Sequence, residues 1–211
     1  MHDLITMGRV GVDLYPEQIG VSLAEVRTFA KSLGGSATNV AVAAARLGLR
    51  SAVITKVGDD PFGPYVRSAL RDFGVDDRFV GTHTGLRTPV VFCEIHPPDD
   101  FPLLFYREPQ APDMTLTAEE LDLDAIRAAK VFWTTGTGLS AEPSRGATLA
   151  ALQVRSGITI HDLDHRAMFW SDESDAGHWA RAALKHATVA SANACSCWTR
   201  ASSGEGQNIG R

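Results

Sequence analysis

Short apolar runs alternate with segments of helical periodicity along most of this chain. That alternation restricts the fold more than any other feature. Leu4 to Met7, Ala52 to Val57, Val131 to Thr135, Ile158 to His161 and Ala187 to Ser191 read as strands. Between them, residues 35–48, 117–130, 144–156 and 175–186 read as helices. A further helix is predicted between Asp60, its N-cap, and Gly74, a left-handed C-terminal cap, with Pro61 at its first position. Phe62, Tyr65, Val66, Ala69, Leu70 and Phe73 then fall on one buried face. Strands that alternate with helices pair in parallel, with the helices on the faces of the sheet.

The middle of the chain departs from this rhythm. Val90 to His96 and Leu103 to Arg107 are strand-like runs with only Pro97 to Pro102 between them. A parallel crossover needs a dozen residues or more, so these two runs form an antiparallel hairpin, expected as a flap on the main sheet. Alternation resumes at Thr117-Ala118-Glu119-Glu120, whose capping-box spacing should open a helix ending near Lys130. Residues 191–211 break the pattern again, with Trp198 and Ile209 their only large apolar side chains. They are expected to be a disordered tail, or a chain that departs from its ancestral frame or stops early.

Composition narrows the function classes. The 211 residues suffice for one large domain or two small ones. Lys plus Arg number 20 against 25 Asp plus Glu, a net charge of −5, which argues against a general nucleic-acid binder. Cys93, Cys195 and Cys197 are too few for a disulfide scaffold and fit a reducing compartment. The N-terminus reads as no signal peptide, and no run approaches the roughly 18 apolar residues of a spanning helix. A cytoplasmic protein without membrane or nucleic-acid partners is the expectation.

The segment richest in chemistry is Gly34-Gly35-Ser36-Ala37-Thr38-Asn39-Val40-Ala41. Two glycines allow a sharp turn and close approach of backbone to a ligand, and the helix that follows offers free N–H groups. Asn39 can both donate to and accept from a hydroxyl. The same pattern also serves as a tight turn with a polar cap. Gly136-Thr137-Gly138-Leu139-Ser140-Ala141 fits G-x-G-x-x-A after a strand, with Asp162 downstream, and keeps open a dinucleotide-binding oxidoreductase domain. Against it, Glu142-Pro143 puts negative charge and a delayed helix start where pyrophosphate needs bare N–H groups. His161 and His165 are four apart but bracket a strand end, and Cys195 and Cys197 lack a second pair, so no metal site is expected. Neither a P-loop nor a G-x-S-x-G elbow is present.

The glycine pair, Asn39, Gly48 after the helix, and Gly58 in VGDDPFG together resemble the first signature of the ribokinase-like (PfkB) carbohydrate kinases. The resemblance continues through MGRVGVDLYP at 7–16, TGLRTPVVF at 84–92, FYREPQAPDM at 105–114, TTGTGLS at 134–140 and DLDHRAMFW at 162–170. It is nearest to the 5-dehydro-2-deoxygluconokinase branch, of inositol catabolism, and covers residues 1–190. It implies an α/β fold with a mainly parallel sheet flanked by helices and a small β lid, mainly 87–110 with a contribution from about 10–33. It also implies ATP, Mg2+ and a sugar or sugar-acid substrate, and a homodimer paired through the lid. A non-catalytic sugar-binding module is the remaining alternative.

The resemblance assigns substrate-binding roles to Asp13, Gly34, Gly35, Asn39, Arg107, Asp162, Asp164 and Arg166. In an open parallel sheet, ligands bind beyond the carboxyl ends of the strands, and Asp13, Gly58-Asp59, Gly136 and Asp162 all follow strand-like runs. Asp13 and Asn39 suit sugar hydroxyls, and Arg107, Arg87 or Lys31 could meet a carboxylate. The family's Gly-Ala-Gly-Asp motif, whose aspartate is the base and whose helix start holds developing negative charge, is absent from the sequence. Its Asn-x-x-Glu motif, which works with magnesium, falls at Asn193 with Ser196 in place of the glutamate. No catalytic residue is assigned. The C-terminal part of the fold is expected to be missing, and the chain alone to be inactive.

Overall fold

The computed structural model describes residues 1–192; the expectations for the tail, Cys195 and Cys197 fall outside them. Six strands form one parallel sheet: β1 (Leu4–Met7), β4 (Ser51–Gly58), β5 (Val80–His83), β8 (Val131–Thr135), β9 (Ile158–Asp162) and β10 (Val189–Ser191). Their order across the sheet is β10-β9-β8-β1-β4-β5, with Leu4 opposite both Ser51 and Val131. The intervening helices are α1 (Ser36–Arg46), α2 (Phe62–Asp72), α3 (Leu123–Ala128), α4 (Ser144–Gln153) and α5 (Ala176–Leu184).

The central strands are apolar on both faces because each face carries a core. Leu4, Val53, Val57 and Trp133 pack with Ala37, Ala41 and Ala44 of α1 and Val66 and Leu70 of α2. Their strand neighbours Ile5, Ala52, Ile54 and Phe132 turn the other way, toward Ile126 of α3, Ala147, Ala151 and Leu152 of α4, and Ala183 of α5. The alanines of α1 let that helix lie close on the sheet, and its first turn abuts the end of β1.

A second sheet supplies the lid. Its order is β3-β2-β6-β7, from β2 (Gly11–Pro16), β3 (Phe29–Gly34), β6 (Val90–Cys93) and β7 (Leu103–Tyr106). The predicted hairpin is antiparallel, with Val90 opposite Tyr106 and Cys93 opposite Leu103. β2 pairs in parallel with β6 and antiparallel with β3. Only residues 8–10 separate β1, in the middle of the large sheet, from β2, in the middle of the lid.

Two local expectations meet different outcomes. α2 starts one residue later than expected, with Pro61 at its N-cap, and Asp60 Oδ1 still accepts from the Phe62 N–H at 2.8 Å; Gly74 adopts φ +81° at the other end. The helix expected over 117–130 is instead two pieces. The capping box of Thr117 and Glu120 forms, but it closes a single tight turn at Ala118–Glu120. Glu120 is drawn to Lys56 Nζ, 2.6 Å away on β4. The chain extends at Leu121, and Asp122 starts α3 afresh by accepting from the Ala125 N–H.

Candidate active site

Alternation along the lid strands aims one set of side chains inward. Gly11, Asp13 and Tyr15 of β2, Pro89 and Val91 at β6, and Leu103, Phe105 and Arg107 at β7 share one face. This face roofs a cleft of about 300 Å³ whose floor is Arg9, Gly35, Ser36, Asn39, Asp162, Asp164 and Arg166. The floor lies at the carboxyl ends of β1 and β9 and the start of α1, where an open parallel sheet places ligands.

The glycine pair explains how these elements come so close. Gly35 precedes α1 at φ +106°, and a β-carbon there would run into the Arg9 carbonyl. Thr38, in the first turn, donates to that same carbonyl at 3.1 Å, pinning the helix start to the link after β1. A β-carbon on Gly34 would fall inside the Asp13 carboxylate. Asn39 is exposed, lines the cleft with Asp13, and has no side-chain hydrogen bond among the described residues. Burial pushes the Asp13 carboxyl above its usual value, against the lowering effects of Tyr15 and Arg9.

A second group of residues in the cleft is built around Asp164. Its Oδ2 accepts from Arg9 Nη2 at 2.9 Å, Ser36 Oγ at 2.7 Å and Thr137 Oγ1 at 3.0 Å, and its Oδ1 accepts from Arg166 Nε at 3.3 Å. Burial alone would raise this carboxyl, but Arg9, Ser36 and Arg166 outweigh it and hold it below the ordinary value. The four bonds also hold Asp164 at φ +29°, a backbone conformation that non-glycine residues rarely take. The Arg9 guanidinium lies 5.9 Å from the Phe105 ring centre and 5.5 Å from that of Phe169. Arg107 lies 5.1 Å from Phe169 and pairs at 2.8 Å with its own buried partner, Asp113. Asp162 borders the same cleft, its carboxyl raised chiefly by burial.

Of the residues singled out in the sequence, Asp13, Gly35, Asn39, Arg107, Asp162, Asp164 and Arg166 line one cleft, and Gly34 shapes it from beneath Asp13. Arg87 does not line it and is exposed elsewhere. Lys31 also lies outside, with Nζ 3.7 Å from the Tyr65 ring centre. Gly58 and Asp60 serve a joint rather than the cleft: Asp60 Oδ2 accepts from the Thr88 N–H at 2.6 Å, and Thr88 Oγ1 accepts from the Gly58 N–H at 2.9 Å. Asp59 is exposed. Gly136 is packed beneath the Leu163 carbonyl, and Gly138 faces the Thr148 hydroxyl. The motif forms only a short turn, Gly136–Leu139, and α4 begins later at Ser144, so it does not open a helix as a dinucleotide reading requires. His161 is fully buried, with Nδ1 2.8 Å from Thr134 Oγ1, and is no ligand on an open rim.

Sequence reasoning missed Arg9, Ser36, Thr137, Phe105 and Phe169. Arg9 did leave a signal: it is the lone charge in an otherwise apolar passage between β1 and β2.

The pfkB family carbohydrate kinase profile matches residues 1–204. The 5-dehydro-2-deoxygluconokinase of Photobacterium profundum is 40% identical over 178 residues, 82% of this chain and 53% of that protein. A fructokinase of Solanum tuberosum is 38% identical over 189 residues, 88% of this chain and 58% of that protein. The chain thus spans just over half the length of these curated relatives. Among solved structures, an uncharacterized sugar kinase from Pyrococcus horikoshii in complex with ATP superposes with a TM-score of 0.80 at 27% identity, covering 89% of this chain and 62% of that one. A cleft between a parallel sheet and a β lid, the glycine–asparagine floor and these similarities agree: the chain belongs to the pfkB family of carbohydrate kinases.

Proposed function

We propose that this chain forms the sugar-binding part of a kinase that moves a phosphoryl group from ATP to a hydroxyl of a sugar or sugar acid, 5-dehydro-2-deoxygluconate or a close relative. The observation that carries this reading is the lining of one cleft, which gathers Asp13 and Asn39, suited to hydroxyls, with the guanidinium groups of Arg9 and Arg166. A polyol chain with a charged or oxidised terminus suits such a lining.

Among the described residues, no group of three or more His, Cys, Asp or Glu side chains is placed to hold a metal ion. Magnesium and nucleotide enter this proposal without a residue of their own among those described. Their use is inferred from the family and from the ATP-bound relative. Loss of a single transition-state donor costs roughly 10²–10³ in rate. A chain without the Gly-Ala-Gly-Asp segment is accordingly expected to bind sugar without turning it over.

Calorimetric titration of the 211-residue chain with 5-dehydro-2-deoxygluconate, without nucleotide, tests the binding half of this reading. A coupled ADP-release assay tests the other half. Saturable binding with negligible turnover is expected. A folded chain that binds NAD and no sugar would overturn the reading. The lid's outward face, with Leu104 and Tyr106 exposed, supports pairing of two copies through the lid, which sedimentation velocity would detect.

A further inference from the structure

We propose that Arg9 makes the cleft select a carboxylate-bearing sugar over a neutral one, with Asp164 as the residue that positions it. The inference rests on the reading of the cleft as a sugar site and adds to it the residue that sets the charge of the ligand.

Three cations border the cleft, and they are not equivalent. Arg107 is matched one to one by Asp113, and both side chains are less than a tenth exposed. Arg166 is the most exposed of the three, at 32% of its side chain, and reaches Asp164 at 3.3 Å. Arg9 is 7% exposed and immobilised from several sides, by Asp164, by Ser36 and by the faces of Phe105 and Phe169. Its two side-chain hydrogen bonds within the described residues both leave from Nη2. Nε is buried without a partner, and Nη1 has none.

The sharing of partners favours the same residue. One carboxylate, Asp164, serves two guanidinium groups and two hydroxyls, whereas Arg107 has Asp113 to itself. Asp13 and Asp162 also border the cleft, but neither accepts a hydrogen bond from Arg9 among the described residues. A fixed, desolvated guanidinium with free donors suits a planar carboxylate, because its fork matches two oxygens and little side-chain freedom is lost on binding.

The test uses the full chain and two ligands of one shape, 5-dehydro-2-deoxygluconate and its uncharged carboxamide, titrated calorimetrically without nucleotide. The native chain should prefer the acid by about ten- to a hundredfold, the range of one charge-assisted hydrogen bond. Arg9→Gln should weaken the acid by that factor and shift the carboxamide by less than about threefold. Arg9→Lys should retain part of the preference, and Arg107→Gln should keep most of it. Equal weakening of both ligands by Arg9→Gln overturns the proposal, because a scaffolding role would not read the ligand's charge. A preference lost in Arg107→Gln but kept in Arg9→Gln overturns it too. If the native chain binds both ligands alike, selection by Arg9 fails while the sugar site stands; if it binds neither, both readings fail. Should Arg9→Gln not fold, the native acid-to-carboxamide ratio and Arg9→Lys decide.

Discussion

The Asp13 carboxylate occupies the space where Gly34 would carry a β-carbon. The two residues lie on the paired strands β2 and β3, so the absence of a side chain on one strand sets the position of the acid on the next. Gly34→Ala should push Asp13 out of place while the fold survives, because the atom displaced is the end of a side chain. Affinity for a sugar ligand should fall by about ten- to a hundredfold, the range of one charge-assisted hydrogen bond. Calorimetry beside a thermal melt checks both halves, and unchanged affinity would show that Asp13 does not bind ligand.

Gly35 is less forgiving. Its φ of +106° disfavours any L side chain, and the atoms a β-carbon would meet are backbone atoms of Arg9 and Val10. Gly35→Ala should cost about 2–3 kcal/mol, lowering Tm by about 4–12 °C. A melt within a degree of the native one would mean that α1 can retreat from the link without penalty.

Replacing Asp164 by Asn keeps its shape and removes the charge that holds Arg9 and Arg166. Breaking a buried pair in this way costs about 3–5 kcal/mol, since guanidinium groups are left desolvated without a counter-charge. Urea denaturation should show a lower midpoint with unchanged slope. Equal stability would mean that water reaches Arg9 more freely than its 7% exposure indicates.

His161 predicts a pH dependence of stability. Burial lowers its pKa from 6.5 to about 4. The unfolded chain therefore takes up a proton at this position between those values and the folded chain does not. The contribution of neutral His161 is complete above pH 6.5 and is lost as pH falls toward about 4, a decline of about 3 kcal/mol. Asp13 and Asp162, raised by burial, act in the opposite sense, adding stability on acidification. Chemical denaturation of the native chain and His161→Gln at pH 7 and pH 5 isolates the imidazole: the variant should lose less stability on acidification.

Much of the large sheet was legible because β1, β4, β8 and β9 are short apolar runs with helices between them, and both of their faces must be covered. β5 escaped notice, since Val-Gly-Thr-His at a sheet edge has no apolar period. β2 and β3 were implied only by the family resemblance, as a lid contribution from about 10–33: Val12, Leu14 and Leu33 pack on the core while Asp13, Lys31 and Ser32 between them interrupt any apolar run. The 117–130 helix is split because the chain extends at Leu121 and Asp122 caps a second start, a break that the capping-box spacing upstream does not announce. At the site, Gly35 and Asn39 were legible from local spacing, and Asp13 from its place after a strand-like run. Arg9 left only its lone charge as a signal, because its meaning comes from Asp164, 155 residues away in the chain.

Arg9 also lies in the link of residues 8–10 that joins the two sheets. A ligand held by this guanidinium would bear on the link beneath its own roof, while the Asp60–Thr88 latch tethers the far strand. On the role proposed for Arg9, charge recognition and the placement of the flap would share one element, and occupancy of the cleft would be felt wherever the flap's outer surface touches another molecule.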